Sequence, residues 1–268
     1  MSWHETMHVT LAPDRVGYQI LSPLRPGASD QGIVPCAADD PARPWAAACA
    51  TLAGLLSEHM RRGLRLSVVV SDRLARYQLL PWRPGIVTRA EWRAYAMHRF
   101  ESVYGEAMRS WRLKIELVPP GNPSLACAVD AELVEALRAV AAANTSRLIA
   151  VRPNYVSLFS QRRHALRGDH LWFGTVEPHH VCLGVLTAHT WRAIRNEAAA
   201  DGWLAALPGM VRRIEFTLNE PRPATLHLCG DIPTDGVPQS IGGLPVRVLE
   251  IKSPRARTAP EQTMATEA

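Results

Sequence analysis

The sequence predicts an α/β protein whose two halves repeat one plan: strand, strand, strand, helix, strand. Apolar segments at 8–12, 16–21 and 64–70 bracket an amphipathic stretch in which Trp45, Cys49, Leu52 and Leu56 recur at helical spacing. The same order returns at 171–177, 181–186 and around 191–194, followed by a helical stretch near 202–218 and a strand at 224–229. A chain of 268 residues with 47% hydrophobic content is long and apolar enough to bury a core in each half.

In the first half, Pro13-Asp14-Arg15 turns the first strand into the second. The next stretch is rich in Pro, Gly and Asp and reads as a loop, so the third strand there is weak. Pro44 takes a favourable first helical position, and Gly63 stops the helix before the compact strand 64–70. A second strand ends in Leu80-Pro81-Trp82. The helix 90–104 follows, with Thr88 as its cap and Glu91 completing a capping box. Its predicted apolar face is Trp92, Ala96, Phe100 and Val103, and Gly105 ends it. Strands at 111–117 and 125–129 come next. Asp130 caps a helix running to 143 with the stripe Leu133, Leu137 and Val140. A strand at 147–151 and a short helix after Pro153 close this half. In the second half Pro178-His179-His180 is the matching turn. The expected units are 7–165, a first half with an inserted helix-strand subdomain; 166–250, a smaller second half; and 251–268, a disordered tail almost without large apolar residues.

The net charge of +5 comes from arginine, with Lys114 and Lys252 the two lysines. The pairs Arg61-Arg62, Arg162-Arg163 and Arg212-Arg213 fall near predicted helix ends, where cations complement the dipole. No basic stripe interleaves with aromatics, so a nucleic-acid interface is not expected. The five cysteines are scattered and never spaced Cys-x-x-Cys, which argues against a disulfide framework or a thiolate zinc site. The beginning of the sequence lacks a secretory apolar region, and the run 45–56 is too short to span a bilayer, which predicts a cytoplasmic protein.

Three groups of residues are candidates for chemistry. A two-metal nuclease needs converging carboxylates. Asp72 stands at a strand end but has no evident partner, and its ordinary role is a turn residue bonded to its own backbone. His179, His180 and Cys182 could be metal ligands, but neighbouring histidines in a strand point to opposite faces, so hairpin-surface histidines are expected unless the turn bends them together. Ser67 and Ser71 have no base visible in the sequence, and no nucleophile elbow, Walker loop or dinucleotide fingerprint occurs. Trp172, Trp191 and Trp203 are expected in the core or at a domain interface.

Several segments together resemble the PilM and GspL group, the actin-like proteins of type IV pilus and type II secretion assembly platforms. They are SVVVSDRLARYQLL (67–80), the Pro-Trp at 81–82, the capped helix leading to Phe100 and Tyr104-Gly105, ALRAVAAANTSRLIAVRPNYVSLF (136–159), and WFGTVEPHHVCLGVL (172–186). The resemblance implies an actin-like, ribonuclease H-like fold of two β-β-β-α-β halves with inserted helices. The chain is short for two full halves, so trimmed subdomains are expected, especially in the second half. Actin-like ATPases hold phosphates on the amides of two hairpin turns and place an Asp near the metal. Here Pro13 and Pro178 occupy those turns, so neither nucleotide nor any other cofactor is expected and the chain is read as no enzyme. An ATP-binding actin-like ATPase with degenerate phosphate loops, using Leu228-Cys229-Gly230-Asp231 or Gly242-Gly243 for adenosine, is the alternative.

The resemblance further implies docking of a cytoplasmic segment of an inner-membrane assembly protein, or of an assembly ATPase, at the inner face of a bacterial membrane. With no membrane span after residue 250, the chain sits nearer the soluble pilus member than the anchored secretion member. Self-association is left open. The candidate anchors are Trp82, Trp92, Tyr95 and Arg99, because aromatic and Arg anchors dominate such interfaces. Packing of the helix on the sheet is the favoured role of Trp92, whereas Tyr95 and Arg99 fall off the main apolar stripe and are expected to be exposed.

Overall fold

The computed structural model describes residues 5–22, 30–37, 40–59, 63–166, 168–218, 225–233 and 236–250. The tail expectation for 251–268, Arg61-Arg62 and the start of the predicted strand 224–229 lie wholly or in part outside these residues.

The chain opens with β1 (Thr6–Ala12), β2 (Arg15–Leu21), β3 (Asp30–Pro35), α1 (Ala46–Glu58) and β4 (Arg65–Val70). A short 3₁₀ turn (Asp72–Leu74) leads into β5 (Ala75–Leu80), α2 (Arg89–Tyr104), β6 (Trp111–Ile115) and β7 (Ser124–Asp130). Then come α3 (Ala131–Ala143), β8 (Arg147–Pro153) and α4 (Asn154–Arg162). The remainder is β9 (His170–Glu177), β10 (His180–Thr187), β11 (Thr190–Ala198), α5 (Trp203–Thr217), β12 (Leu226–Gly230), β13 (Ser240–Ile241) and β14 (Leu244–Val248).

The strands form a five-stranded sheet β3-β2-β1-β4-β8, a six-stranded sheet β11-β10-β9-β12-β14-β13 and a three-stranded sheet β5-β7-β6. In the first large sheet β1, β2 and β3 are antiparallel neighbours, and β4 and β8 run parallel to β1. The second repeats this: β9, β10 and β11 are antiparallel, and β12 and β14 run parallel to β9. The halves differ in their last crossover. Between β4 and β8 the chain builds the small sheet, α2 and α3, whereas 231–243 carries it from β12 to β14 with no helix among the described residues.

Packing explains the sequence patterns. α1 and α3 cover the first sheet, burying Leu52, Leu56, Leu133 and Leu137 against Val9, Leu11 and Val68. α5 covers one face of the second sheet through Met210, Val211 and Ile214 on Trp172 and Leu183. The opposite face packs on Tyr77, Tyr155 and Leu158, so β9 is apolar on both faces and shows no alternation. Tyr155 is the centre of an aromatic group with Tyr77, Phe173 and Trp191, at ring separations of 5.7, 5.3 and 5.6 Å. Gly184 makes room for it: a Cβ there would collide with the Tyr155 hydroxyl and stand 2.8 Å from the Trp191 ring.

Several expectations are corrected. The stretch read as loop after 22 contains β3, an edge strand with little burial and therefore little apolar signal. Pro44 precedes the helix; Trp45 is its N-cap and Ala46 its first residue. Val103 is 61% exposed and off the buried face of α2, which consists of Trp92, Ala96 and Phe100. The third strand of the second half runs to Ala198, and β13–β14 extend that sheet beyond what periodicity revealed.

The capping box of α2 forms as read: Glu91 N–H donates to Thr88 Oγ1 at 3.2 Å, and Thr88 N–H donates to Glu91 Oε2 at 2.8 Å. These contacts draw the Glu91 carboxyl below its usual range. Thr88→Ala is expected to lower the unfolding free energy by about 1 kcal/mol, read as a shifted urea midpoint with an unchanged slope.

Candidate functional site

Both hairpin turns that would cradle a phosphate converge on one short segment, Ser71-Asp72-Arg73, immediately after β4. The segment is anchored to the first sheet by Ser71 N–H, which donates to the Leu11 carbonyl at 2.8 Å. Arg73 Nη1 reaches the first turn and donates to Asp14 at 2.6 Å. From the second turn, Glu177 crosses to the same place. Its Oε1 accepts from the Asp72 amide at 3.0 Å and from Asn154 Nδ2 at 2.7 Å, and its Oε2 accepts from the Ser71 hydroxyl. A further inter-sheet tie joins Arg15, at the end of the first turn, to Asp231, just after β12, at 2.8 Å.

Asp72 is 1% exposed. Its Oδ1 accepts from the Tyr77 hydroxyl at 2.5 Å and from the Tyr155 amide at 2.9 Å; its Oδ2 accepts from Thr175 Oγ1 at 2.8 Å. The Tyr155 contact has a local cause. α4 begins after Pro153, which offers no capping side chain, so Asp72 reaches across from another element to satisfy an amide of the first turn. Burial, then the nearby Glu177, pushes the Asp72 carboxyl up to about 7, while the bonds from Tyr77, Tyr155 and Thr175 pull the other way. Burial raises the Tyr77 hydroxyl well above its usual range, and the adjacent Asp72 adds to it.

The sequence reading of Asp72 is thereby corrected: it bonds side chains and an amide from distant elements, and its partner carboxylate lies 105 residues away. Ser71 is the residue that behaves as a turn former, accepting from Arg73 N–H at 3.2 Å. Its hydroxyl also has a base within reach in Glu177. Neither pairing left a signal in the sequence beyond a polar pair, Ser71-Asp72, directly after an apolar strand.

The histidines stand at the second hairpin. His179 sits in the turn with φ +57°, and this bend brings it to the same cleft as His180. Cys182 is buried away from them in the aromatic core. No group of three or more His, Cys, Asp or Glu arranged to hold a metal ion occurs among the described residues. His180 bonds Asn196 at 2.8 Å, and burial lowers its proton affinity. Trp172 and Trp191 are buried, and Trp203 packs partly buried against α5's core.

The four candidate anchors lie on or near α2. Trp92 is 8% exposed and packs under the helix with Leu80, Ala96 and Phe100. Tyr95 meets Trp92 edge-on at 5.9 Å and is half-buried, as is Arg99 one turn on, so both are less exposed than their place off the stripe suggested. The Tyr95 hydroxyl and Arg99 Nε are buried without a hydrogen-bond partner among the described residues. Trp82, beyond the end of β5, is 38% exposed.

No protein-family model matches the chain, and no curated protein matches it. Solved structures do. The cytoplasmic domain of EpsL, an inner-membrane component of the type II secretion system of Vibrio cholerae, aligns with TM-score 0.57 and 13% identity over 96% of this chain and 90% of that one. A chain of the PilM-PilN type IV pilus biogenesis complex aligns with TM-score 0.60 and 13% identity, covering 85% of this chain and 82% of that chain. A Bacteroides thetaiotaomicron protein of actin-like ATPase fold and unknown function aligns with TM-score 0.58 and 12% identity, covering 87% and 84%. Two sheets of matching strand order, joined where their first hairpin turns converge, together with these likenesses, give the chain an actin-like fold.

Proposed function

We propose that this chain is a non-catalytic scaffold of a bacterial type IV pilus or type II secretion assembly platform, docking the cytoplasmic segment of an inner-membrane partner. The observation that carries the non-catalytic part is the placement of Glu177. A phosphate site needs unspent donors and a positive field. Here the Asp72 amide, the Ser71 hydroxyl and the Asn154 amide all donate to a carboxylate supplied by the second turn. A second acidic side chain, the buried Asp72, stands beside it, so the space between the turns is already filled by carboxyl groups. Nucleotide phosphates would have to displace Glu177 and then face Asp72.

The scaffold part rests on likeness to EpsL and PilM at the level of fold, and on the α2 surface. Trp82, Tyr95 and Arg99 supply a partly exposed aromatic and cationic patch suited to anchoring a peptide, while Trp92 holds the helix down. No helix among the described residues is long and apolar enough to cross a membrane, and in this reading the chain works on the cytoplasmic side, held there by its partner.

The test is a melting curve with and without Mg-ATP. A nucleotide binder gains about 2.7 kcal/mol at a ligand concentration one hundred times its Kd. We expect an unchanged Tm; a dose-dependent rise would favour the ATP-binding alternative. Docking at α2 is checked by Tyr95→Ala and Arg99→Ala, which should each lower recovery of the inner-membrane partner's segment.

A further inference from the structure

A cleft of ≈ 690 Å³ opens beside the carboxylate pair. Arg73 and Arg76 line it from the segment entering β5, Tyr104 from the end of α2, His179 and His180 from the second turn, and Asn196 from β11. It therefore lies between the small inserted sheet and the six-stranded sheet. We propose that this cleft binds an extended acidic segment of a partner protein, through Asp or Glu side chains. The inference rests on the docking reading above and gives the partner's chemistry.

Charge comes first. None of the lining residues is acidic. Arg76 is held in place by donating to the carbonyls of Arg73 at 3.1 Å and Ala75 at 2.8 Å, with its guanidinium 5.9 Å from the Trp111 ring centre. Among the described residues it has no carboxylate partner, so a pre-positioned cation faces the cleft. Arg73 shares its charge with Asp14. The buried Asp72 and the half-buried Glu177 carboxyl groups below are met by donors from Ser71, Asn154, Thr175 and Tyr77. The whole chain, at +5, adds a long-range field that favours an acidic partner.

The size of the cleft and its two arginines favour an acidic segment over a single small anion. It runs along β5 and β11, edge strands of their sheets that pack against each other there. The rim is fixed by Asn196. Its Nδ2 donates to the carbonyls of Asp72 at 2.8 Å and Ala75 at 3.0 Å, which leaves Oδ1 to accept and makes His180 Nε2 the donor. The polar side chains of the rim are thus set before any ligand arrives, and the cost of ordering them on binding is already met.

The probe is a fluorescein-labelled hexaglutamate peptide, followed by anisotropy at about 20 mM and about 150 mM salt. The expected result is saturable binding that weakens with salt, falls roughly tenfold or more in Arg76→Ala, and is unchanged in Arg93→Ala, an exposed arginine of α2. Arg76→Gln, which keeps donors for the Arg73 and Ala75 carbonyls, should weaken binding as Arg76→Ala does even if the latter fails to fold. Equal binding by the Arg76 variants and the parent chain overturns the proposal, as does binding of inorganic pyrophosphate without the peptide. Loss of the peptide result with no Mg-ATP stabilisation removes this cleft and leaves the docking reading. Mg-ATP stabilisation alongside Arg76-dependent peptide binding removes the non-catalytic reading and leaves the cleft.

Discussion

Asp72→Ala is expected to lower the unfolding free energy by about 3 kcal/mol near neutral pH. The substitution strands the Tyr77 hydroxyl, the Thr175 hydroxyl and the Tyr155 amide in a region without water access. It also removes the surrogate cap of α4, whose own N-cap is a proline. Relief of the crowded carboxylate pair offsets part of the loss, which is why the figure falls short of the sum of three orphaned donors. Asp72→Asn isolates the electrostatic share. The carboxyl rises from 3.8 in the unfolded chain to about 7 when folded, so the folded state holds the proton more tightly. Stability from this group is therefore complete below about pH 4 and is lost as pH rises through about 7, opposite in sign to an ordinary salt-bridged carboxylate. Urea unfolding of the parent chain between pH 5 and 8 should show this downward trend, and Asp72→Asn should flatten it. An equal slope in both proteins would assign the pH dependence elsewhere.

Gly230→Ala is the second large effect, with an expected loss of about 3 kcal/mol. Gly230 ends β12 at φ +122°, a conformation that L side chains rarely adopt. An added Cβ would run into the Val176 carbonyl, which is backbone of the neighbouring strand and cannot swing aside as a side chain could. The same carbonyl accepts from Asp231 N–H at 2.8 Å, so moving it also disturbs the loop from which Asp231 reaches Arg15. For a protein of this size the loss corresponds to a Tm drop of roughly 6–12 °C. Asp231→Ala, which removes a surface ion pair and leaves the backbone alone, should cost under about 1 kcal/mol. Similar losses from both substitutions would place the effect in the ion pair rather than in the backbone.

Where short-range physics dominates, the sequence was readable. Thr88 and Glu91 announced α2, Asp130 announced α3 through its bond to the Glu132 amide, and Pro178-His179 marked the β9–β10 hairpin. β3 read only as a weak strand because it is an edge strand with no buried residue, and the pattern that marks a strand is a record of burial. Val103 was placed on the core face by spacing alone, whereas in the last turn of α2 it is exposed. The candidate site was the least legible part. Asp72 was singled out for its position, but Glu177 carries no mark of its own, and nothing local indicates that two carboxylates so far apart in sequence will share donors. His179 and His180 lie at the second hairpin as read, but the left-handed backbone of His179 left no signal in the sequence. Long-range polar pairing and turn handedness are tertiary facts, and periodicity does not encode them.

The unequal crossovers of the two halves bear on the order in which the protein assembles. Tight two-residue connections let β1 find β2, and β9 find β10, almost without loop-closure entropy. By contrast, β4 and β8 are separated by the whole inserted sheet and two helices, so their parallel pairing is a high-contact-order event. Asp72 opens that excursion and Asn154 directly follows β8, the strand that closes it, and both meet Glu177 from the other half. The clasp therefore closes late, after the insertion has organised, and fastens the slowest-forming part of the chain to an already seeded one.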